Sequence, residues 1–343
     1  MKKINSYNNI MNNEIGIRVN GNESAVNIAE NISDEILEVL RNSKFNRYPD
    51  SNSKKLRKLY GELININSEN IIAGNGSDEM ISLILTAFIK RKDIVVTLNP
   101  DFGMYDFYTS LNGGIIKKYE TEEDGSFSVN KFINFIRSFK ANLIILSNPN
   151  NPTGHILSND EIMMILDAFP QSIVVIDEAY YEFYGQTMIP NIENYKNLII
   201  TRTLSKAWGL AALRVGFLIS NKYIVEKIKS YKVPYNLSQI SQDIACIMLK
   251  HPEIVMKNIE GIIYERERLF KDLKEIEKKS SHIKFYKSKG NFIFARSSLK
   301  EKIKCEMENR GILIRCFNDN SFRISVGLPW ENDMIVNSIQ KVV

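Results

Sequence analysis

Between about residue 70 and residue 220 the chain alternates short, β-rich apolar runs with stretches of helical periodicity, and few folds accommodate that rhythm. IIAG is followed by SDEMISLILTAFIKR, DIVVTL by a helical stretch near DFGMYDFYTSL, and IIKKY by VNKFINFIRSF. NLIILS then precedes NDEIMMILDAF, and SIVVID, NLIITR and LRVGFLIS complete the series. Strands separated by helices predict an α/β fold with a largely parallel sheet. Ligands of such sheets bind beyond the carboxyl ends of the strands, so the loops that follow strands are where chemistry is to be sought.

After residue 220 the texture changes to long charged helical stretches, YIVEKIKSYK and HPEIVMKNIEGIIYERERLFKDLKEIEKK. The short strands IKFY, NFIFAR, ILIR and FRISV follow, and a helix closes the chain, which reads as a smaller α+β unit. A length of 343 residues exceeds one ordinary core and agrees with two domains. The charge-rich YERERLFKDLKEIEKK has the spacing of a solvated helix face.

Several function classes are disfavoured at once. The 45 basic and 40 acidic residues are interspersed, without the basic blocks that mark nucleic-acid or polybasic membrane contact, so neither partner is expected. MKKINSYNNIMNNEIG lacks the apolar core of a signal peptide and no long apolar run occurs, which predicts a cytoplasmic protein. Cys246, Cys305 and Cys316 form no CxxC pair and suit reduced thiols. His155, His251 and His282 make no metal-binding spacing, so no metal is expected and Ser-His-Asp chemistry is poorly supported.

Four loops after strands carry the candidates. GNGSDE, Gly74 to Glu79, places Ser77 at a plausible helix N-cap, with Asp78 beside it, where free N–H groups and the helix dipole favour an anion. NPNNPTG, Asn148 to Gly154, is a cluster of turn formers whose Asn151 could point an amide into a cleft. In DEAYYEF, Asp177 ends an apolar strand, and a buried acid there calls for a cationic partner, while Tyr180 follows three residues later. In TRTLSKAWGLAALRVGF, Arg202 reads as an ordinary loop charge, and Lys206 stands after Thr203 and Ser205. Arg214 follows in a stretch that reads as strand.

A lone lysine at position 206 would ordinarily be a solvated helix-face residue. Taken together, however, the four loops suit one ligand, a phosphorylated pyridine aldehyde. Lys206 would bond its aldehyde carbon, Asp177 would keep the ring nitrogen protonated, and Asn151 and Tyr180 would hold the ring oxygen. Ser77 with its helix start, Thr203, Ser205 and Arg214 would gather on the phosphate. A free lysine titrates near about 10.4, so the site must lower Lys206 for it to act as a base, and the protonated ring and Arg214 push in that direction.

GNGSDE, NPNNPTG, DEAY and TLSKAWGLAALRVGF, in that order over about residues 70 to 217, resemble the aspartate-aminotransferase-like, fold type I pyridoxal-phosphate enzymes. VNGNE (19–23), NRYPD (46–50), PDFGMY (100–105), PYNLS (234–238) and GNFIFAR (290–296) are similar to the histidinol-phosphate aminotransferase branch of that superfamily. The resemblance implies an N-terminal arm with part of a small domain (1–44) and a large cofactor-binding domain (45–240). The large domain would hold a mostly parallel seven-stranded sheet flanked by helices, and residues 241–343 would form the small domain. It implies a homodimer with shared sites, in which Tyr48 reaches the cofactor phosphate of the partner subunit. Phe102 would stack on the ring, and Asp177, Tyr180 and Lys206 would be the catalytic groups. Arg323, Arg315, Asn22 and Tyr7 would contact substrate. The span from Arg315 to Arg323 looks shorter than in other members and borders the substrate pocket. The implied reaction is transamination of histidinol phosphate, a small-molecule amine, with the keto acid 2-oxoglutarate. Alternatives are an aromatic or other amino-acid aminotransferase, a phosphoserine or phosphothreonine decarboxylase of the same superfamily, and a non-catalytic relative.

Overall fold

The computed structural model describes residues 16–343, so Tyr7 lies outside the described residues. β1 (Ile17–Arg18) leads to α1 (Ser33–Asn42) and α2 (Lys54–Leu63), after which strands and helices alternate. The alternation runs β2 (Ile71–Asn75), α3 (Gly76–Phe88), β3 (Ile94–Asn99), α4 (Met104–Leu111), β4 (Ile115–Glu120), α5 (Val129–Arg137), β5 (Ala141–Ser147), α6 (Asn159–Ala168) and β6 (Ile173–Asp177). Only one-turn helical pieces separate β6, β7 (Leu198–Thr203) and β8 (Val215–Ser220).

These strands form a seven-stranded sheet in the order β2-β8-β7-β6-β5-β3-β4. β4, β3, β5, β6 and β7 run parallel, whereas β8 is antiparallel to both β2 and β7. The stretch 204–214 between β7 and β8 contains no crossover helix, so the chain reverses there instead of returning parallel. Side chains alternate between the two faces of the sheet. Val95, Leu143, Ile145, Val175 and Ile199 join a core with Met80 and Tyr105, while Val96, Ile144, Leu146, Val174, Ile176 and Ile200 join the opposite core with Phe132, Ile165 and Trp208. Burial on both faces explains why the central strands read as unbroken Val, Ile and Leu. Edge strand β4, with Lys117 and Lys118, is only half-buried, and lysines at a sheet edge discourage further pairing.

The remainder starts with α7 (Lys222–Lys229), α8 (Gln239–Met248) and the long α9 (Pro252–Glu277). It continues with β9 (Ile283–Tyr286), β10 (Phe292–Ser297), α10 (Lys300–Asn309), β11 (Ile312–Leu313), β12 (Arg315–Cys316), β13 (Ser321–Ser325) and α11 (Pro329–Val342). An antiparallel sheet of order β12-β13-β10-β9 packs a core with α9, α10 and α11 that includes Leu269, Ile303, Phe322 and Ile335. ILIR, which reads as one strand, is interrupted at Ile314. Ile312–Leu313 pairs parallel with β1, and Arg315–Cys316 pairs antiparallel with β13. That change of sheet sets Arg315 directly opposite Arg323. Among the described residues no helix is long and apolar enough to cross a membrane.

Candidate active site

A cavity of about 510 Å³ lies beyond the carboxyl ends of β3, β5, β6 and β7. Ser77, Asp78, Phe102, Asn151, Asp177, Tyr180, Thr203, Ser205, Lys206, Arg214, Arg315 and Arg323 all line it. Residues spread over most of the sequence therefore meet at one place.

At one end the start of α3 faces Arg214. Ser77 does not cap this helix: α3 begins at Gly76, its N-cap is Asn75, and no side chain caps it. The N–H of Asn75 is taken by Glu79, so Ser77 lies within the first turn, where helix N–H groups have no partner inside the helix. Gly76 has φ +82°, and a Cβ there would fall 2.7 Å from Nη2 of Arg214; glycine thus lets the guanidinium approach the helix start. Arg214 is not in a strand. It takes a left-handed φ of +54° immediately before β8, a conformation that costs a non-glycine residue on the order of 1–3 kcal/mol and persists where the surroundings demand it. From there Nη1 donates to Oγ of Ser205 at 3.3 Å and Nη2 to Oδ2 of Asp78 at 3.2 Å. Thr203 Oγ1 donates to Ser205 Oγ at 2.9 Å. A helix N-terminus, two hydroxyls and a guanidinium make an anion cradle.

In the middle of the cavity Asp177 is 3% exposed. Its Oδ2 accepts from the Tyr105 hydroxyl and its Oδ1 from the Thr201 hydroxyl, both at 2.9 Å. Burial pushes the carboxyl up to about 6, against the hydrogen bonds of Thr201 and Tyr105. The sequence calls for a cationic partner; among the described residues the side chains bonded to this carboxylate are the neutral hydroxyls of Tyr105 and Thr201, which fits a ligand that brings the positive charge. Nearby, the Tyr180 hydroxyl receives Nδ2 of Asn22 at 3.0 Å and Nδ2 of Asn151 at 3.4 Å.

Lys206 donates from Nζ to the carbonyl of Gly21 at 2.8 Å. Burial pushes its ammonium down to about 8, and the charge of Arg323 adds to the effect, ahead of the smaller influence of Arg214. An amine at that value is a competent base and nucleophile near neutral pH.

At the far wall, Arg323 of β13 donates to Oδ1 of Asn151 and, at 2.6 Å, to the carbonyl of Asn20. Arg315 lies 5.8 Å over the ring of Phe317 and lines the same wall, bordered by the short β12–β13 connection. Like charges directly opposite on paired strands repel, and an anion between them relieves that repulsion.

Two expected site residues lie outside this cavity, one of them expected at the partner's site, and a third is not described. Asn22 does not line the cavity; it is fully buried and braces Tyr180 while its backbone N–H bonds Ser325. Tyr48 is 82% exposed, stacked on Tyr235 with ring centroids 4.7 Å apart, and also outside the cavity. Tyr7 is not among the described residues. Conversely, Arg202 is no loop charge: it is buried in β7 on the reverse face, where Nη2 and Nε hold Glu178 at 2.8 and 3.0 Å. Sequence reading also missed Tyr105, Thr201, Asp101 and Ser147. Ser147 and Asp101 did carry a signal, being polar residues at or just past the ends of apolar strands, as Asp177 is.

The anion cradle, the buried carboxylate bonded to neutral hydroxyls and the amine of lowered basicity fit pyridoxal phosphate. A family model described as aminotransferase class I and II matches residues 14–339. The chain is 40% identical over 328 residues to a histidinol-phosphate aminotransferase of Clostridium novyi (strain NT), covering 94% of this chain and 91% of that one. Among solved structures, a histidinol-phosphate aminotransferase from Sinorhizobium meliloti in complex with pyridoxal-5'-phosphate superposes with a TM-score of 0.86 at 21% identity, covering 96% and 90% of the two chains. L-threonine-O-3-phosphate decarboxylase from Porphyromonas gingivalis superposes with a TM-score of 0.81 at 20% identity, covering 95% and 98%, and at that identity shares the fold alone.

Proposed function

This chain belongs to the class I and II aminotransferases, pyridoxal-phosphate-dependent enzymes acting on small molecules, and on that premise we propose that it transfers the amino group of histidinol phosphate to 2-oxoglutarate in histidine biosynthesis. The observation that carries this reading is the pair Arg315 and Arg323, set opposite each other on one wall of the cavity. Two guanidinium groups suit a phosphate on the donor and the distal carboxylate of a keto acid. The 40% identity to a histidinol-phosphate aminotransferase supports the same substrate.

Bound pyridoxal phosphate supplies an aldehyde carbon that takes up the amino group and a ring that draws electrons from the substrate's α-carbon. Lys206 Nζ, as free base, would take the α-proton of the substrate. Asp177 would keep the ring nitrogen protonated, Tyr180 and Asn151 would hold the ring oxygen, and Phe102 would cover the ring face. The first turn of α3 at Ser77 and Asp78, with Thr203, Ser205 and Arg214, holds the phosphate. We read residues 45–240 as the cofactor-binding domain, 241–343 as the small domain, and 1–44 as an arm partly joined to it, in a cytoplasmic enzyme. We also read a homodimer, in which the exposed Tyr48 reaches the partner's cofactor phosphate.

The test offers the holoenzyme histidinol phosphate, histidinol, aromatic amino acids, phosphoserine and phosphothreonine, and follows loss of the aldehyde absorbance and release of carbon dioxide. Histidinol phosphate should react best. Charge-assisted bonds contribute about 1.5–3 kcal/mol each, so Arg323→Ala should lower kcat/KM about tenfold or more. Removing the phosphate as well should be less than additive. Equal reaction of histidinol and its phosphate would exclude the proposed donor, and faster carbon dioxide release from a phosphoamino acid would establish the decarboxylase instead.

A further inference from the structure

We propose that Asp101 is a positioning residue of this active site, acting through Ser147 to hold Asn151, and with it Tyr180 and Arg323, in the arrangement that ring and substrate anion require. The inference rests on the reading of Asn151 and Arg323 as cofactor and substrate contacts.

Asp101 follows β3 at the cavity wall. Its Oδ1 accepts from the Ser147 hydroxyl and, at 2.8 Å, from the N–H of Phe102, while Oδ2 accepts from the Thr97 hydroxyl at 3.1 Å. Burial nonetheless pushes this carboxyl up to about 7. Its two oxygens are nevertheless held by donors of Ser147, Phe102 and Thr97, so the acceptor it offers Ser147 has a fixed position.

Ser147 shows what that is. Because its hydroxyl proton goes to Asp101, its oxygen lone pairs are left to accept, and they take the N–H of Asn151 at 3.0 Å and Nδ2 of Asn150 at 3.3 Å. Asn151 in turn presents Oδ1 to Arg323 and Nδ2 to Tyr180. A hydroxyl without a fixed acceptor rotates to suit whichever neighbour is nearest; an acceptor itself held in place by the Phe102 N–H and the Thr97 hydroxyl removes that choice. The same carboxylate fixes the backbone of Phe102. One buried side chain thereby ties the group placed to cover the ring face to the groups placed to hold the ring oxygen and the substrate anion.

The experiment compares Asp101→Ala, Ser147→Ala, their double variant, Asp101→Asn and the control Asn151→Ala. Four quantities are measured: the dissociation constant of pyridoxal phosphate from the apoprotein by fluorescence titration, the thermal midpoint, kcat and KM. Losing a hydrogen bond to a charged group should weaken cofactor binding and raise KM for the keto acid, each about tenfold, with kcat changing less. Ser147→Ala should reproduce that pattern, and the double variant should be no worse than Asp101→Ala within about twofold, as expected of residues acting through one another. Asp101→Asn, which retains an acceptor for the Ser147 proton, should recover most of the loss. Additive losses in the double variant, or an Asp101→Ala enzyme with unchanged constants beside an impaired Asn151→Ala enzyme, would overturn the relay. Unchanged constants in Asn151→Ala would instead refute the site reading beneath it. Should Asp101→Ala not fold, Ser147→Ala carries the test: it must show the loss, and Asp101→Asn must change nothing further in that background.

Discussion

Replacing Asp177 by asparagine separates the charge of this residue from its shape. The side chain is 3% exposed and accepts hydrogen bonds from Tyr105 and Thr201, and an amide can occupy the same space because each hydroxyl both donates and accepts. With only protein groups around it, burial lifts the carboxyl from 3.8 to about 6, a shift of about two units and so about 3 kcal/mol. The folded-state pKa lies above the unfolded one. The carboxyl's favourable contribution is therefore complete below about pH 4 and is lost as pH rises through about 6. Asparagine does not ionise and suffers no such loss. Apoprotein carrying Asp177→Asn should match the parent near pH 4 and exceed it by up to about 3 kcal/mol above pH 7.

Cofactor should invert that ranking. A protonated ring nitrogen beside Asp177 would supply a cation where the described protein groups offer hydroxyls, so the parent holoenzyme should gain what the apoprotein lost. An opposite charge within about 4–6 Å moves a pKa by about 1–3 units, so the variant should lose at least about tenfold in kcat. Urea unfolding of apo and holo forms at both pH values, with steady-state kinetics, reads all of this. A stability difference independent of pH in the apoprotein, or a variant that turns over like the parent, would refute Asp177 as the counter-charge.

Lys206→Ala should abolish turnover and leave the apoprotein folded, since among the described residues the ammonium donates one hydrogen bond, to Gly21; multiple turnovers by that variant would remove the lysine from the mechanism. In the parent apoprotein, capture of the cofactor aldehyde should rise with pH to a half-maximum near the lowered value of about 8, and a midpoint close to that of free lysine would contradict the burial argument. Inactive Lys206→Ala chains mixed with weakened Tyr48→Phe chains should form hybrid dimers with one site having both native groups, and activity above the sum of the parents is expected. Activity that never exceeds that sum, once subunit exchange is verified, rejects the shared site.

How much of this was legible before the structure depends on the range of the interaction concerned. The alternation of strands and helices over residues 70–220 is local, and the parallel part of the sheet follows from it. The antiparallel turn into β8 depends on whether residues 204–214 form a helix, which their small and apolar composition leaves open. Asp177 was readable because a carboxylate ending SIVVI interrupts an apolar run. Its partners were not: Tyr105 lies 72 positions and Thr201 24 positions away. Ser77 looked like a cap because serine favours that position, but Gly76 already starts the helix with φ +82°. Asn22 came from the motif VNGNE, and only the tertiary packing shows that its amide bonds the Tyr180 hydroxyl without lining the cavity.

Arg202 and Lys206 make the same point at close quarters. Both are basic residues of TRTLSKAWG, yet one is a structural ion and the other lines the cavity. Successive residues of a strand point to opposite faces. In β7, Thr201 and Thr203 point toward the cavity side, where they bond Asp177 and Ser205, so Arg202 between them must point to the reverse face. There it meets Glu178, the residue after Asp177, and the ring of Tyr181 at 3.3 Å. Breaking a buried pair of this kind strands a charge at a cost of about 3–5 kcal/mol, so the ends of β6 and β7 cannot slip past one another without that penalty. Asp177 and Thr201 sit on those same strand ends, in register. The charge that reads as incidental in the sequence therefore bears on the one geometric relation the site depends on most, the placement of a buried carboxylate against the strand that leads into Lys206.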